Sequence, residues 1–464
     1  MTADRFKIKQ AGKPMYNFLK KLHISPYLAV ALSFLLLILV GSFLLVLPIS
    51  HKSGEWANYV DSLFMSFSAV CLTGLSIYNS IVDQFSIFGL VTMAVLIQLG
   101  GLGFITIFTF VITLFRKRIN VLDRFVLKEA LSASQYSGVI RLVRSMVIMS
   151  LTFSALGTIP FLFAFIPEFG FWNGLGKSVF HAITSFNNSG FDVLGDSSLI
   201  AYRSNYIVTI NTAILTIVGG MGFLTISEIF RFKKPRMWSA QTKIVLTMTT
   251  IMLVVMSTSL FLASVNSADP LNFFESFLTI AYSRTGGFAI TEYEDMSQIG
   301  RVIMMLTMFI GASPLSTGGG VKVTTLFVVV LITFAYIRGK KVHAFKRTYS
   351  QKSFIQATVI IFFAMITILI AYVLVTEFEQ NNAEIIATNW GSDAFIFEVI
   401  SAFTTTGASF GITPMLSDAS KLTLSVLMFI GRVGPLTLMA TVSDAINREE
   451  KLHYRYIESD LIVG

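Results

Sequence analysis

Val70-Cys71-Leu72-Thr73-Gly74 is a short loop whose glycine returns three more times in the same setting. The other copies are Phe186-Asn187-Asn188-Ser189-Gly190, Ser283-Arg284-Thr285-Gly286-Gly287 and Phe403-Thr404-Thr405-Thr406-Gly407. At one fixed distance before each glycine stands a phenylalanine, Phe64, Phe180, Phe277 and Phe397 in turn. Each loop follows a short apolar segment and precedes a long one. Glycine at the tight point of a loop admits backbone conformations that side chains resist. Four re-entrant loops in one chain are what is needed to surround a cation with backbone carbonyls.

Working outward from the loops, long apolar runs lie near 27–47, 84–115, 142–166, 205–230, 242–264, 300–337, 354–376 and 421–446. Crossing ~30 Å of hydrocarbon takes about 20 residues, and each run reaches that length. The shorter segments near 60–72, 175–186, 273–283 and 393–404 are half-spans. The pattern predicts an all-α integral membrane protein built from four pseudo-repeats of helix, pore helix, filter loop and helix around one central pore. That makes eight transmembrane helices and four half-helices. The expected units are 25–118, 119–236, 237–341 and 342–446, between tails at 1–24 and 447–464.

The composition agrees with a membrane protein. The chain has 464 residues, 54% hydrophobic and only 13% charged, with mean hydropathy +0.72; a soluble core does not look like this. A net charge of +9 invites a nucleic-acid reading, but the distribution argues against it. Lys and Arg gather in the two tails and three interhelix loops, while Lys52, Lys177, Arg203, Arg301 and Lys421 alone fall in the opposite set of segments. The positive-inside rule then places both termini in the cytoplasm, with anionic lipid as a second use of the basic loops. The single cysteine, Cys71, excludes an intramolecular disulfide and is read as a packing residue. Tyr27 to Leu47 is too long for the apolar part of a signal peptide and is read as the first membrane helix.

The second helix of each unit carries its own echo, the glycine pairs Gly100-Gly101 and Gly219-Gly220 and, in the fourth copy, Gly431-Arg432, where arginine replaces the second glycine. Close helix packing is one reading of them. The third copy departs, running Gly311-Ala312-Ser313-Pro314-Leu315-Ser316-Thr317-Gly318-Gly319-Gly320-Val321-Lys322. Pro314 and three successive glycines do not continue a helix at low cost. Broken backbone at membrane depth is tolerated beside a water-filled cavity or inside protein, so this segment is expected to line the pore. It is not a phosphate loop, since no Gly-Lys-Ser/Thr follows.

The fourfold loops, Asn187-Asn188, Ser283-Arg284-Thr285 and the stretch from Ser316 to Lys322 resemble the Trk/Ktr/HKT superfamily of cation transporters, and the chain is most similar to the Ktr-type membrane subunit. The resemblance implies potassium uptake across a bacterial plasma membrane. It also implies a homodimer on a cytoplasmic, nucleotide-binding ring of RCK type, and sodium stimulation. Potassium is substrate, sodium a candidate activator, and no cofactor is expected on this chain. The expected filter consists of Leu72, Thr73, Gly74, Asn188, Ser189, Gly190, Thr285, Gly286, Gly287, Thr405, Thr406 and Gly407, acting through backbone oxygens. Asn187 and Asn188 are expected to brace it from behind. In the family, glycine at all four positions goes with potassium preference and serine in the first loop with sodium preference, which puts Gly74 on the potassium side. The expected gate is Ser316, Thr317, Gly318, Gly319, Gly320, Lys322 and Arg432. Arg432 reads either as a structural arginine on helix-end carbonyls or as a positive barrier below the filter, and the resemblance favours the barrier. Arg284 is expected to pair with Glu275 or another external acid, and His181 to pack. The rival readings are a symporter coupling potassium to sodium or proton, which needs an ionisable intramembrane relay, and an intramembrane enzyme, which needs a catalytic constellation. No such constellation is evident.

Overall fold

The computed structural model describes residues 26–103, 106, 139–195, 198–232, 234–265, 267–339, 342–345, 347–349, 351–388 and 391–434. The tails, most of the basic loop after the first unit and the end of the run 421–446 lie outside the described residues.

The chain runs through α1 (Pro26–Val46), α2 (Tyr59–Cys71), α3 (Ile87–Leu102), α4 (Val139–Phe169), α5 (Phe171–Asn187), α6 (Tyr206–Met221), α7 (Phe223–Arg231), α8 (Ala240–Ser264), α9 (Phe273–Ser283), α10 (Gln298–Phe309), α11 (Val323–Ile337), α12 (Gln351–Glu379), α13 (Ser392–Thr404) and α14 (Asp418–Val433). Strands β1 (His343–Ala344) and β2 (Arg347–Thr348) form a small hairpin between α11 and α12. Four described helices, α1, α4, α8 and α12, are long and apolar enough to cross a membrane, and α6 with α7 makes a fifth span bent by 96°.

The short helices α2, α5, α9 and α13 each precede one of the glycine loops. Their starts are set locally. Asn58 caps α2 through the Val60 N–H at 2.9 Å. Asn272 and Glu275 cap α9 reciprocally, a capping box that satisfies two otherwise unpaired donors. Each short helix packs against the helices before and after it and against the post-loop helix of the preceding unit: α5 on α3, α9 on α6, α13 on α10. The series closes on itself, because α2 packs against α14, the last helix described. Phe64, Phe180 and Phe397 are buried in one continuous apolar core.

At the capped end of the short helices, ion pairs tie the units together. Lys421 reaches Asp61 at 2.8 Å, Arg301 reaches Asp393 at 2.6 Å, and Arg203 grips both Asp269 at 2.5 Å and Glu275 at 2.7 Å. The bond from Arg203 holds the Glu275 carboxyl below its ordinary value. This contribution to stability is therefore complete above the ordinary carboxylate range and is lost as pH falls through the lowered value. Between about pH 6 and pH 3 the thermal midpoint of the purified protein should fall further for the wild type than for Arg203→Ala; identical pH profiles would mean that the network adds nothing.

The post-loop helices differ from the sequence expectation. The runs 84–115, 205–230 and 421–446 do not continue as single helices; they end at Gly103, Gly222 and Gly434, with φ of 78°, 86° and 90°. A left-handed residue cannot sit inside an α-helix, and glycine adopts it without the Cβ penalty.

Candidate functional site

Three of the four loops are built alike. α2, α5 and α13 end on a left-handed residue, Leu72 (φ 63°), Asn188 (φ 55°) and Thr405 (φ 51°). The next N–H then folds back onto a carbonyl inside the helix, Thr73 to Ser68 at 2.8 Å, Ser189 to Thr184 at 3.0 Å and Thr406 to Ser401 at 3.0 Å. This is the helix-ending bond of a Schellman turn. A leucine or threonine in this conformation costs about 1–2 kcal/mol, and three copies of it point to a shape held by its surroundings. The third loop differs. Arg284 stays right-handed, and both Gly286 and Gly287 bond the Tyr282 carbonyl.

The four glycines meet. A Cβ on Gly74 would strike the Ser189 carbonyl oxygen and lie 2.9 Å from Gly190 Cα. One on Gly190 would lie 3.1 Å from the Gly286 oxygen, and one on Gly287 would strike the Thr406 oxygen. One on Gly407 would strike the Thr73 oxygen and lie 3.0 Å from Gly74 Cα. The loops therefore close into a ring in chain order. The carbonyl of the residue before each glycine lies against the glycine of a neighbouring loop. All four glycines have positive φ, between 71° and 90°. The filter residues expected from the sequence are thus brought together, with Thr73, Ser189, Gly286 and Thr406 supplying the carbonyls at the contact.

Side chains brace the ring from behind. The Gly74 N–H donates to Ser68 Oγ at 3.1 Å, and the Gly407 N–H to Ser401 Oγ at 3.0 Å. Sequence reading missed both serines; the signal was a serine six positions before the glycine in the first and last loops. Asn187 donates to Gln98 Oε1 at 3.0 Å and to the Ile183 carbonyl at 2.9 Å. Asn188, with its amide oxygen toward the Gly220 N–H (3.1 Å) and its nitrogen toward the Thr216 carbonyl (3.0 Å), joins the second loop to α6 and to the Thr317 hydroxyl. His181 is buried, 3.0 Å from Thr212 Oγ1, with its ring 4.8 Å from that of Phe161, so it packs as expected. Each serine brace is worth about 1 kcal/mol. Ser68→Ala and Ser401→Ala should therefore each lower the stability of the purified protein by about 1 kcal/mol, read as a fall in its thermal midpoint; an unchanged midpoint in both would make the braces dispensable.

On one side the ring floors a cavity of 440 Å³ whose lining includes Asp192, Glu292 and Ser409 with all four glycines. Burial pushes the Asp192 carboxyl up to about 6, against bonds from Leu194 and Ser198 and the charge of Lys177, which pull it down.

On the other side lies the segment between α10 and α11. It folds on itself, with Gly311 N–H to the Val321 carbonyl at 3.0 Å and Ala312 N–H to Gly319 at 3.2 Å. It docks where α6 breaks, since Phe223 N–H bonds the Leu315 carbonyl at 2.8 Å and Ser313 Oγ the Gly220 carbonyl at 2.9 Å. Part of its polar backbone is thereby paired within protein, as irregular chain in a membrane requires. Thr317 Oγ1 donates to the Phe186 carbonyl at 3.2 Å. A Cβ on Gly318 would lie 2.7 Å from Thr285 Cγ2, and one on Gly319 2.8 Å from the Thr404 carbonyl. The segment therefore touches the ends of three short helices.

Three basic side chains hold carbonyls of this segment. Lys322 Nζ donates to Gly318 at 2.7 Å. Arg432 donates to the Thr317 carbonyl at 2.5 Å and to the Gly100 carbonyl at 2.6 Å, so the helix-end pairing read as one alternative is present. Arg284 does not pair with Glu275, which Arg203 occupies; its Nε donates to the Gly311 carbonyl at 3.3 Å. Glu275 and Arg284 stand at opposite ends of the same short helix, about 13 Å apart along its axis, a separation that sequence proximity hides. Gly318, Gly319, Gly320, Ser316, Thr317, Lys322 and Arg432 form one contiguous cluster against the ring.

Residues 24–451 match the family model TrkH, described as a cation transport protein. The chain is 34% identical over 448 residues to the potassium/sodium uptake protein NtpJ of Enterococcus hirae, covering 95% of this chain and 98% of that protein. It is 31% identical over 454 residues to the Ktr system potassium uptake protein B of Bacillus subtilis, covering 96% and 98%. Its fold is similar to the crystal structure of the potassium transporter TrkH from Vibrio parahaemolyticus, with TM-score 0.68 at 18% identity over 91% of this chain and 86% of that one. With a family model spanning nearly its whole length, the chain belongs to the TrkH family of cation transport proteins, membrane proteins that move ions and are not enzymes.

Proposed function

We propose that this chain is a potassium-selective uptake protein in which each copy forms one complete, channel-like pore through four pseudo-repeats. The closed ring of four glycine loops carries the reading. A potassium ion entering it exchanges hydration oxygens for the carbonyls of Thr73, Ser189, Gly286 and Thr406, with those of Leu72, Asn188, Thr285 and Thr405 next along the path. The short helices present their partly negative C-terminal ends at the ring. The Enterococcus relative is a potassium/sodium uptake protein and the Bacillus relative a potassium uptake protein, which supports potassium as the ion, with sodium as a companion. The segment from Ser316 to Lys322 with Arg432 is the barrier below the ring. Regulation comes from a cytoplasmic RCK-type ring beneath a homodimer in a bacterial plasma membrane, with both termini on the ring's side and sodium as activator.

Purified protein in liposomes tests the reading. Potassium and rubidium should enter down their gradients and compete, with sodium flux at least about tenfold lower, a difference of about 1.4 kcal/mol. Equal sodium flux, or strict coupling of potassium to sodium or proton movement, would replace uniport with the symport alternative.

The vestibule adds a pH dependence. Asp192 is charged above about 6 and neutral below it, and a carboxylate beside the entrance raises the local cation concentration. Potassium uptake at subsaturating concentration should fall as the vestibule-side pH drops from 7.5 to 5.5, and Asp192→Asn should flatten that profile at the lower level. A wild-type dependence retained in Asp192→Asn would assign it to another group.

A further inference from the structure

The fourth short helix carries a carboxylate that the ring does not use. Glu398 on α13 is fully buried. Its Oε1 accepts from Ser409 Oγ at 3.1 Å and from the Thr413 hydroxyl. Its Oε2 is equally buried and meets no donor. The two hydroxyl oxygens are 3.3 Å apart, and both residues line the vestibule above Gly407.

Among the described residues no basic side chain bonds Glu398. The charged groups on its own helix and on the helices packed around it are engaged elsewhere. Asp393 and Arg301 hold each other at 2.6 Å. Glu379 at the end of α12 accepts from Ser417 and Asn382. Lys421 on α14 holds Asp61. Phe397 and Phe410, the chain neighbours of Glu398 and Ser409, pack edge to face at 4.7 Å and keep the surroundings apolar.

A buried carboxylate with an orphaned oxygen is costly unless a proton or a charge partner completes it, so in its ionised form Glu398 calls for a cation. Both hydroxyls give their protons to Oε1; Ser409 Oγ also accepts the Gly411 N–H and has one lone pair left for a further ligand. One negative charge with hydroxyl oxygens is a set of hard donors, which suits alkali cations. A divalent ion of this class collects more carboxylate charge than a single glutamate offers. We propose that Glu398, Ser409 and Thr413 form a monovalent-cation site in the wall of the vestibule, separate from the ring of glycine carbonyls. Ions reach it from the vestibule, past the two hydroxyls. Its occupation neutralises Glu398 and stiffens the stretch after Gly407, because Ser409 Oγ also accepts the Gly411 N–H at 2.9 Å.

The test is a crystal structure of the full-length protein grown in thallium(I) nitrate at pH 8, read by anomalous scattering. The expected map has a peak on the ring and a second one beside Glu398 Oε2. Glu398→Gln should lose the second peak and keep the first, and Ser409→Ala should weaken only the second. If Glu398→Gln does not fold, the wild-type and Ser409→Ala maps still decide. A wild-type map with no peak beside Glu398, a second peak unchanged in Glu398→Gln, or one unchanged in Ser409→Ala would overturn the proposal. A peak beside Glu398 with none on the ring would support this site and count against the pore reading.

Discussion

Gly74→Ser should abolish potassium selectivity, uptake, or both. The position leaves no room for a side chain. Its φ is +90°, and a Cβ would strike the Ser189 carbonyl and lie 2.9 Å from Gly190 Cα. Both neighbours are backbone of the adjoining loop, so relief requires moving that loop, and every loop of the ring is fixed by the next. The left-handed backbone adds about 1–2 kcal/mol of its own for a residue with a Cβ. The displaced groups include the carbonyls proposed to replace water around potassium. A change of about 1.4 kcal/mol in their relative preference for two ions is tenfold in selectivity. The expected result is a potassium-to-sodium flux ratio at least about tenfold below wild type, in competing uptake normalised to membrane protein. Gly287→Ser and Gly407→Ser should do the same, because a Cβ there strikes the Thr406 and Thr73 oxygens; Gly190→Ser, whose nearest neighbour would be the Gly286 oxygen at 3.1 Å, should have a smaller effect. A Gly74→Ser protein that transports with wild-type preference would remove the ring from the ion path.

Arg432 offers the second large effect. The guanidinium joins the Thr317 carbonyl of the barrier segment to the Gly100 carbonyl at the end of α3, two points far apart in the chain. Hydrogen bonds from a charged donor are worth about 1.5–3 kcal/mol each. Arg432→Ala removes this tie together with a positive charge close to the path proposed for potassium. Like charges at an effective dielectric nearer 20 than 80 repel by a few kcal/mol at about 4 Å. Uptake by Arg432→Ala in potassium-starved cells should therefore rise, by about threefold or more for each 0.7 kcal/mol of barrier removed. Arg432→Lys keeps the charge but not the fork that spans two carbonyls, and should retain much of the barrier. Equal impairment of both variants would leave Arg432 as a structural tie only.

The short helices, their ends and the glycine loops were legible in the residues, because helix length, apolar content and a glycine after a fixed interval are local properties. α2, α5, α9 and α13 lie on the segments 60–72, 175–186, 273–283 and 393–404. The break before Lys322 was legible for the same reason, since proline and three glycines disfavour a helix wherever they stand. The positive φ at Gly103, Gly222 and Gly434 was not. A glycine inside an apolar run serves packing or breakage equally well, and which one holds depends on what approaches. At Gly222 it is the Ser313 hydroxyl and the Pro314 carbonyl, about ninety residues away, close enough to leave no space for a Cβ.

A helical membrane protein with four glycine-ended loops follows from the order of residues alone, because hydrocarbon thickness and backbone sterics act residue by residue. That the loops close into a ring, with Gly407 against Thr73 and α14 against α2, emerges from the packed fold. The same packing decides that Arg203 takes Glu275, that Arg284 and Arg432 hold carbonyls, and that Glu398 is left with a free oxygen. Partner choice among buried polar groups follows from which chain segments meet. That meeting is set by the packing of many helices together, a collective property that no local spacing encodes.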